Sequence, residues 1–140
     1  MVQSMRKLLA ALAAVALILV LGACTPEEGD HLKAVNDFRA ANGMPALNWD
    51  EDVYAKAHAW SEHLADIGKL EHSKLADGVP AGWHALGENV AFAPTLDGAM
   101  TALETSPPHR ANLLSGKFDQ ISIGVVQRYG LFWVTEVFIG

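Results

Sequence analysis

Cysteine is almost absent from this chain: Cys24 is the only one in 140 residues. A single thiol cannot close an internal disulfide or build a cysteine zinc site, so the core must be held by packing alone. Basic residues are also scarce, 10 Lys and Arg against 16 Asp and Glu, for a formal charge of −6. That balance argues against nucleic acid as a partner, because binding there rests on neutralising phosphates with Lys and Arg. It also argues against electrostatic attachment to an anionic lipid surface. No internal repeat or low-complexity tract breaks the chain. Neither the Gly-x-Ser-x-Gly nucleophile elbow nor the helical His-Glu-x-x-His zinc signature occurs.

The longest apolar run, Leu8 to Ala23, follows Arg6 and Lys7 and ends at Cys24-Thr25-Pro26-Glu27-Glu28. It is shorter than the roughly 20 residues that a membrane-crossing helix requires. A basic start, an apolar stretch and small residues before a polar break form a secretory signal. Leu21-Gly22-Ala23-Cys24 looks like a bacterial lipoprotein cleavage box, which makes Cys24 the expected lipidation site and residues 1–23 the signal peptide. The expected location is therefore the extracytoplasmic face of a bacterial membrane, reached through the lipid anchor. The mature chain keeps 117 residues, enough for one domain, with eight basic and sixteen acidic residues and a charge of −8. Residues 24–29 read as a short lipidated tether and 30–140 as the folded domain.

Local patterning supplies the elements. Leu32, Val35, Phe38 and Ala41 recur at three-residue spacing, which predicts a helix from about Glu28 or Asp30 to Ala41, stopped by Asn42-Gly43. A second helix is predicted to be capped near Asn48 or Asp50, with Asp50, Glu51 and Asp52 in its first turn. Val53, Ala57, Trp60, Leu64 and Ile67 form its apolar stripe, and Gly68 ends it. Residues 70–93 read as irregular, punctuated by Gly78, Pro80, Gly82 and Gly87. A third helix is expected from Thr95 or Leu96 to Thr105, and Ser106-Pro107 opens a short fourth one carrying His109. The period then changes: Ile121, Ile123, Val125 and Leu131, Trp133, Val137 read as two strands joined at Arg128-Tyr129-Gly130. Apolar residues on both faces of the last strand predict a sheet covered on both sides, and hence an α+β sandwich.

Several strings, taken in order, resemble the bacterial branch of the CAP superfamily of cysteine-rich secretory, antigen five and pathogenesis-related proteins. They are Val35-Asn36-Asp37-Phe38-Arg39, His72-Ser73, Gly87-Glu88-Asn89-Val90-Ala91, the run Ser106-Pro107-Pro108-His109-Arg110-Ala111-Asn112-Leu113-Leu114, and Ile123-Gly124-Val125. The resemblance implies a three-layer α-β-α sandwich with a central, mainly antiparallel sheet. It also implies a cleft in which two histidines and two acidic residues converge, the histidines holding a divalent metal in several members. By motif, the histidines are His72 and His109 and the glutamate is Glu88. The second acidic member has no clear counterpart; Glu104 is the nearest carboxylate, displaced by the Ser106-Pro107-Pro108 break. Pro108 stands where bacterial relatives usually carry glycine. Two neutral imidazoles suit zinc and leave positions for water.

Residue chemistry on its own assigns plainer roles to the other candidates. His58 and His63 read as a solvated helix face, with His58 paired to Glu62 at i+4, and His31 as exposed near a helix start. His84 is a further cleft candidate because it precedes Gly87-Glu88. Three function classes follow. The first is a tethered module that binds a divalent metal, expected to be zinc, and a small lipid or peptide. The second is a metal-assisted hydrolase, or one that uses Ser73 or Ser106 with a histidine. The third is an envelope interaction protein with a vestigial cleft.

Overall fold

The computed structural model describes residues 24–140; the signal-peptide reading of residues 1–23 lies outside them. Helix α1 spans Pro26–Ala41 and opens with a reciprocal cap. Glu28 N donates to Thr25 Oγ1 (3.3 Å), and Thr25 N donates back to the Glu28 carboxylate (2.7 Å). Pro26, lacking an amide hydrogen, fits the first helical position. The helix therefore starts before the expected Glu28 or Asp30, and residues 26–29, read from sequence as tether, are its first turn.

A two-residue strand β1 (Asn48–Trp49) precedes helix α2 (Tyr54–Ile67). The expected helix start near Asp50 is instead a turn, in which Asp50 Oδ1 accepts the amides of Asp52 (2.9 Å) and Val53 (3.2 Å). Strand β2 (Leu86–Ala93), helix α3 (Leu96–Thr105), helix α4 (Pro107–Leu113) and strands β3 (Gln120–Arg128) and β4 (Leu131–Ile139) complete the chain. The last residues of the 70–93 stretch are thus a strand rather than irregular. Gly87, Glu88 and Asn89 mask its alternation, and its ladder partners on β4 lie far away in sequence, from Ala93 with Phe132 to Leu86 with Ile139.

The sheet order is β1-β3-β4-β2; β1 runs parallel to β3 and the other pairings are antiparallel. A two-residue turn, Tyr129-Gly130, joins β3 to β4 with φ of +55° and +74°. Positive φ at both central positions suits the twist of a hairpin. On one face, Ile121, Ile123, Val125, Val134 and Phe138 pack under α1, α3 and α4 with Val35, Leu103 and Leu113. On the other face α2 lies so close to β3 that a Cβ on Gly124 would sit 2.3 Å from the Ala57 carbonyl oxygen. Ser61 of α2 donates to the Gly124 carbonyl (2.8 Å) with the Thr135 hydroxyl at 2.9 Å, so a buried polar residue is satisfied at this contact. Helices cover both faces of the sheet, which is the α-β-α sandwich expected from the sequence.

Strand alternation sorts the candidate residues. On β2, Glu88 and Val90 face α2, whereas Gly87, Asn89 and Ala91 face α3 and α4. Because β2 is an edge strand, both sides are reached from one rim of the sheet.

Candidate functional site

Glu88 is the centre of the α2-side cluster, and its side chain is 3% exposed. Its Oε1 accepts the Ser73 amide (2.9 Å) and His72 Nδ1–H (2.8 Å), and its Oε2 accepts the Ser73 hydroxyl. A buried carboxylate with three donors is well satisfied. The imidazole of His72 is itself 64% exposed, and its Nε2 has no hydrogen-bond partner among the described residues. His109 is held differently. Its Nδ1 shares a hydrogen bond with Ser106 Oγ (2.7 Å), and its backbone carbonyl accepts Asn89 Nδ2–H (3.1 Å).

The two histidines line different hollows at the β2 rim. His72 belongs to a pocket of about 420 Å³ with Lys56, Trp60, Ser73, Lys74 and Asp77. His109 closes a crevice of about 250 Å³ whose other walls include Leu70, Val90, Phe92 and Leu103. The segment 70–73 contributes to both. Leu70 and Phe92 remain 40% and 44% exposed, so the crevice presents apolar surface to solvent. Among the described residues no group of three or more His, Cys, Asp or Glu side chains is arranged to hold a metal ion. What the residues do offer is a pair of imidazoles, each with Nδ1 already engaged and Nε2 available. That orientation by a second partner is typical of metal-binding histidines.

Glu104 and His84 are not brought to this rim. The Glu104 carbonyl accepts a long bond from Arg110 (3.4 Å), and its side chain lines neither hollow. His84 is exposed, and its backbone pairs with Gly140. Neither serine stands in a nucleophile–base–acid line. Ser73 gives its proton to Glu88 rather than to His72, and His109, though in contact with Ser106, has no carboxylate on its ring among the described residues.

Sequence reading missed a second polar system beneath the rim. His31, expected to be exposed, is 1% exposed and its Nε2 lies 2.7 Å from Glu136 Oε1. Glu136 Oε2 accepts Asn89 Nδ2–H (2.9 Å), and Asn112 Nδ2 donates to Asn89 Oδ1 (2.9 Å) and to the Glu88 carbonyl (3.3 Å). This chain of bonds links α1, β4, β2 and α4, and so positions the strand bearing Glu88 relative to the helix bearing His109. His58 is likewise not merely solvated. Its Nδ1 lies 3.0 Å from Glu28, whereas its Nε2 is 3.8 Å from Glu62, and Glu28 is wholly buried while also accepting the Val125 amide (3.2 Å). Tyr54 stands beside them, its phenol pushed up to about 12 by burial first and by the Glu28 charge second. His63 does face solvent, paired with Glu71 at 3.0 Å. Arg39 is buried without a carboxylate: it donates to the carbonyls of Pro45 (2.8 Å), Leu113 (2.9 Å) and Ser115 (3.0 Å), and burial lowers its pKa from the usual arginine value. The only early signal for any of this was the helical spacing of Glu28, His31, Val35 and Arg39, which places three ionisable groups on one stripe.

Residues 32–138 match the CAP family, described as the cysteine-rich secretory protein family. The chain belongs to the CAP family. In sequence this CAP domain is 29% identical over 118 residues to the uncharacterized protein YkwD of Bacillus subtilis, covering 78% of the chain and 45% of YkwD. The chain thus spans less than half the length of that relative. In structure it resembles an extracellular protein containing an SCP domain from Bacillus anthracis (TM-score 0.70, 24% identity, 84% of this chain and 44% of that one). It also resembles an outer surface protein of Borrelia burgdorferi (TM-score 0.72, 15% identity, 84% of this chain and 95% of that one). The CAP fold holds here without a disulfide among the described residues, since Cys24 is the sole cysteine.

Proposed function

We propose that this CAP domain is an extracytoplasmic binding module, anchored to a bacterial membrane through lipid on Cys24. At the β2 rim it holds a divalent metal, zinc, on His72 and His109, and it lodges the apolar part of a small lipid or peptide in the crevice ended by His109. One observation carries the metal reading: both imidazoles have Nδ1 tied, to Glu88 and to Ser106, with Nε2 left for a ligand. Two imidazoles would bind zinc with water completing the shell, and Glu88 would hold the His72 ring in the ligating tautomer. The half-exposed Leu70 and Phe92 support the apolar part of the ligand. Export is supported by the apolar leader before Cys24 and by the descriptions of the structural relatives as extracellular and outer-surface proteins. Among the described residues no helix is long and apolar enough to cross a membrane.

Zinc titration by calorimetry on the purified full chain and on His72→Ala and His109→Ala versions tests the site. Each substitution is expected to abolish saturable binding. Equal binding by all three proteins, or none by the wild type, sinks the paired-histidine reading. For the anchor, Cys24→Ser is expected to move the protein out of the membrane fraction, and a variant that stays there would sink it.

A further inference from the structure

The pocket on the α2 side has a chemistry that neither the metal nor the apolar crevice uses. At about 420 Å³ it is within the range of small-molecule sites, roughly 300–1,000 Å³. One wall is the indole of Trp60, which is held rigidly. Its N–H donates to the Glu71 carbonyl (3.0 Å), and its ring lies 4.5 Å from that of His63, itself bonded to Glu71 (3.0 Å). A fixed aromatic face of this kind costs a ligand little ordering of the protein.

Polar groups of both signs surround it. Lys56 donates to the Lys74 carbonyl (2.9 Å), which leaves two of its three ammonium donors for a ligand. Burial lowers the pKa of Lys56, and the nearby carboxylates of Glu88 and Asp77 oppose that shift. Lys74, Asp77 and Ser73 add donors and acceptors at the mouth. Two ammonium groups against Asp77 and Glu88 nearly cancel, so the pocket offers no field for a polyanion, and a cation would meet two lysines. A neutral ligand with a flat C–H face and hydroxyls around its edge satisfies both the indole and the mixed polar ring.

We propose that this pocket is a saccharide-binding subsite, in which a pyranose ring lies against Trp60 while its hydroxyls bond to Lys56, Lys74 and Asp77. A pyranose whose substituents are all equatorial suits it best, because both ring faces are then flat and every hydroxyl projects sideways; β-1,4-linked N-acetylglucosamine supplies such rings as a probe. The subsite goes beyond the metal reading and shares with it only His72 at its wall and the nearby charge of Glu88.

The experiment follows the four tryptophan indole N–H signals of the nitrogen-15-labelled full chain, in a detergent that carries no sugar, while tri-N-acetylchitotriose is added. It is run once with zinc and once with a chelator. Trp60→Phe assigns the Trp60 signal. The expected result is a saturable shift of that signal under both conditions. Asp77→Ala and Lys74→Ala, both at exposed positions, are expected to weaken binding about tenfold each through loss of a charge-assisted hydrogen bond, with the remaining spectrum unchanged. An unmoved Trp60 signal in both conditions overturns the subsite and leaves the zinc reading standing. A shift that needs zinc, or that Asp77→Ala and Lys74→Ala leave unaltered, also overturns it. A shift with the chelator present, in a protein that fails the zinc titration, supports the subsite and sinks only the metal.

Discussion

His31 and Glu136, 105 residues apart, meet at 2.7 Å with both side chains wholly shielded from solvent. Among the described residues His31 Nδ1 has no hydrogen-bond partner, so within them Glu136 alone satisfies the ring. Removing one member of such a pair strands the other in the core. Glu136→Ala is expected to lower the unfolding free energy by about 3–5 kcal/mol, and the apolar double replacement His31→Leu with Glu136→Leu to cost clearly less than the sum of the single changes. Urea denaturation of the wild type, the single variants and the double variant measures both, and strict additivity would contradict the pairing.

Asn89 connects that pair to the rim, with one amide nitrogen serving both Glu136 and the His109 carbonyl. Asn89→Ala is expected to cost about 1–3 kcal/mol of stability for the unsatisfied groups it leaves. It is also expected to weaken zinc binding and move the His109 ring signals in NMR, although Asn89 touches neither imidazole. Wild-type zinc affinity in the variant would show that the network does not position the helix.

The approach of α2 to β3 leaves no room at Gly124. A methyl group there would overlap the Ala57 carbonyl backbone, which cannot swing aside as a side chain can. Gly124→Ala is therefore expected to destabilise by at least about 3 kcal/mol, the upper end for overpacking, and thermal unfolding would register it.

Tyr129 occupies a left-handed position at φ +55° and is 81% exposed. Tyr129→Asn relieves that conformation and produces the Asn-Gly pair that two-residue hairpins favour. A gain of about 0.5–1 kcal/mol in denaturant unfolding is the expected outcome; a loss would mean that the Tyr129 ring packs in a way its exposure conceals.

Tyr54 sets an alkaline limit. Its folded-state pKa of about 12 lies above the usual 10, so the folded chain holds this proton more tightly than the unfolded chain. The associated stability is complete below pH 10 and is lost as pH rises from 10 towards 12. Tyr54→Phe is expected to flatten that decline in unfolding measured against pH, and an unchanged slope would exclude Tyr54 as its source.

Much of this protein was legible from sequence because the signals were local. The helical spacing of Ala57 and Leu64, the Gly68 stop, the Ser106-Pro107 start and the change of period after Ile121 all depend on neighbours in the chain. They were enough for the sandwich and, with the ordered motifs, for the CAP family. His72, Glu88 and His109 could be named the same way, and the structure brings His72 to Glu88 while giving His109 its own crevice across the edge strand.

Only the tertiary structure decided where charge is buried. Glu28, His31, Arg39 and Glu136 are polar by composition, and each is inside because a partner from a distant segment supplies its hydrogen bond. Strand β2 was hidden for a related reason: its ladder is made with β4, and its glycine and polar residues satisfy that network at the expense of a clean apolar alternation. Patterning reports what a residue prefers in water. Burial of an ionisable group depends on what it meets, and that is fixed only when the chain has closed on itself.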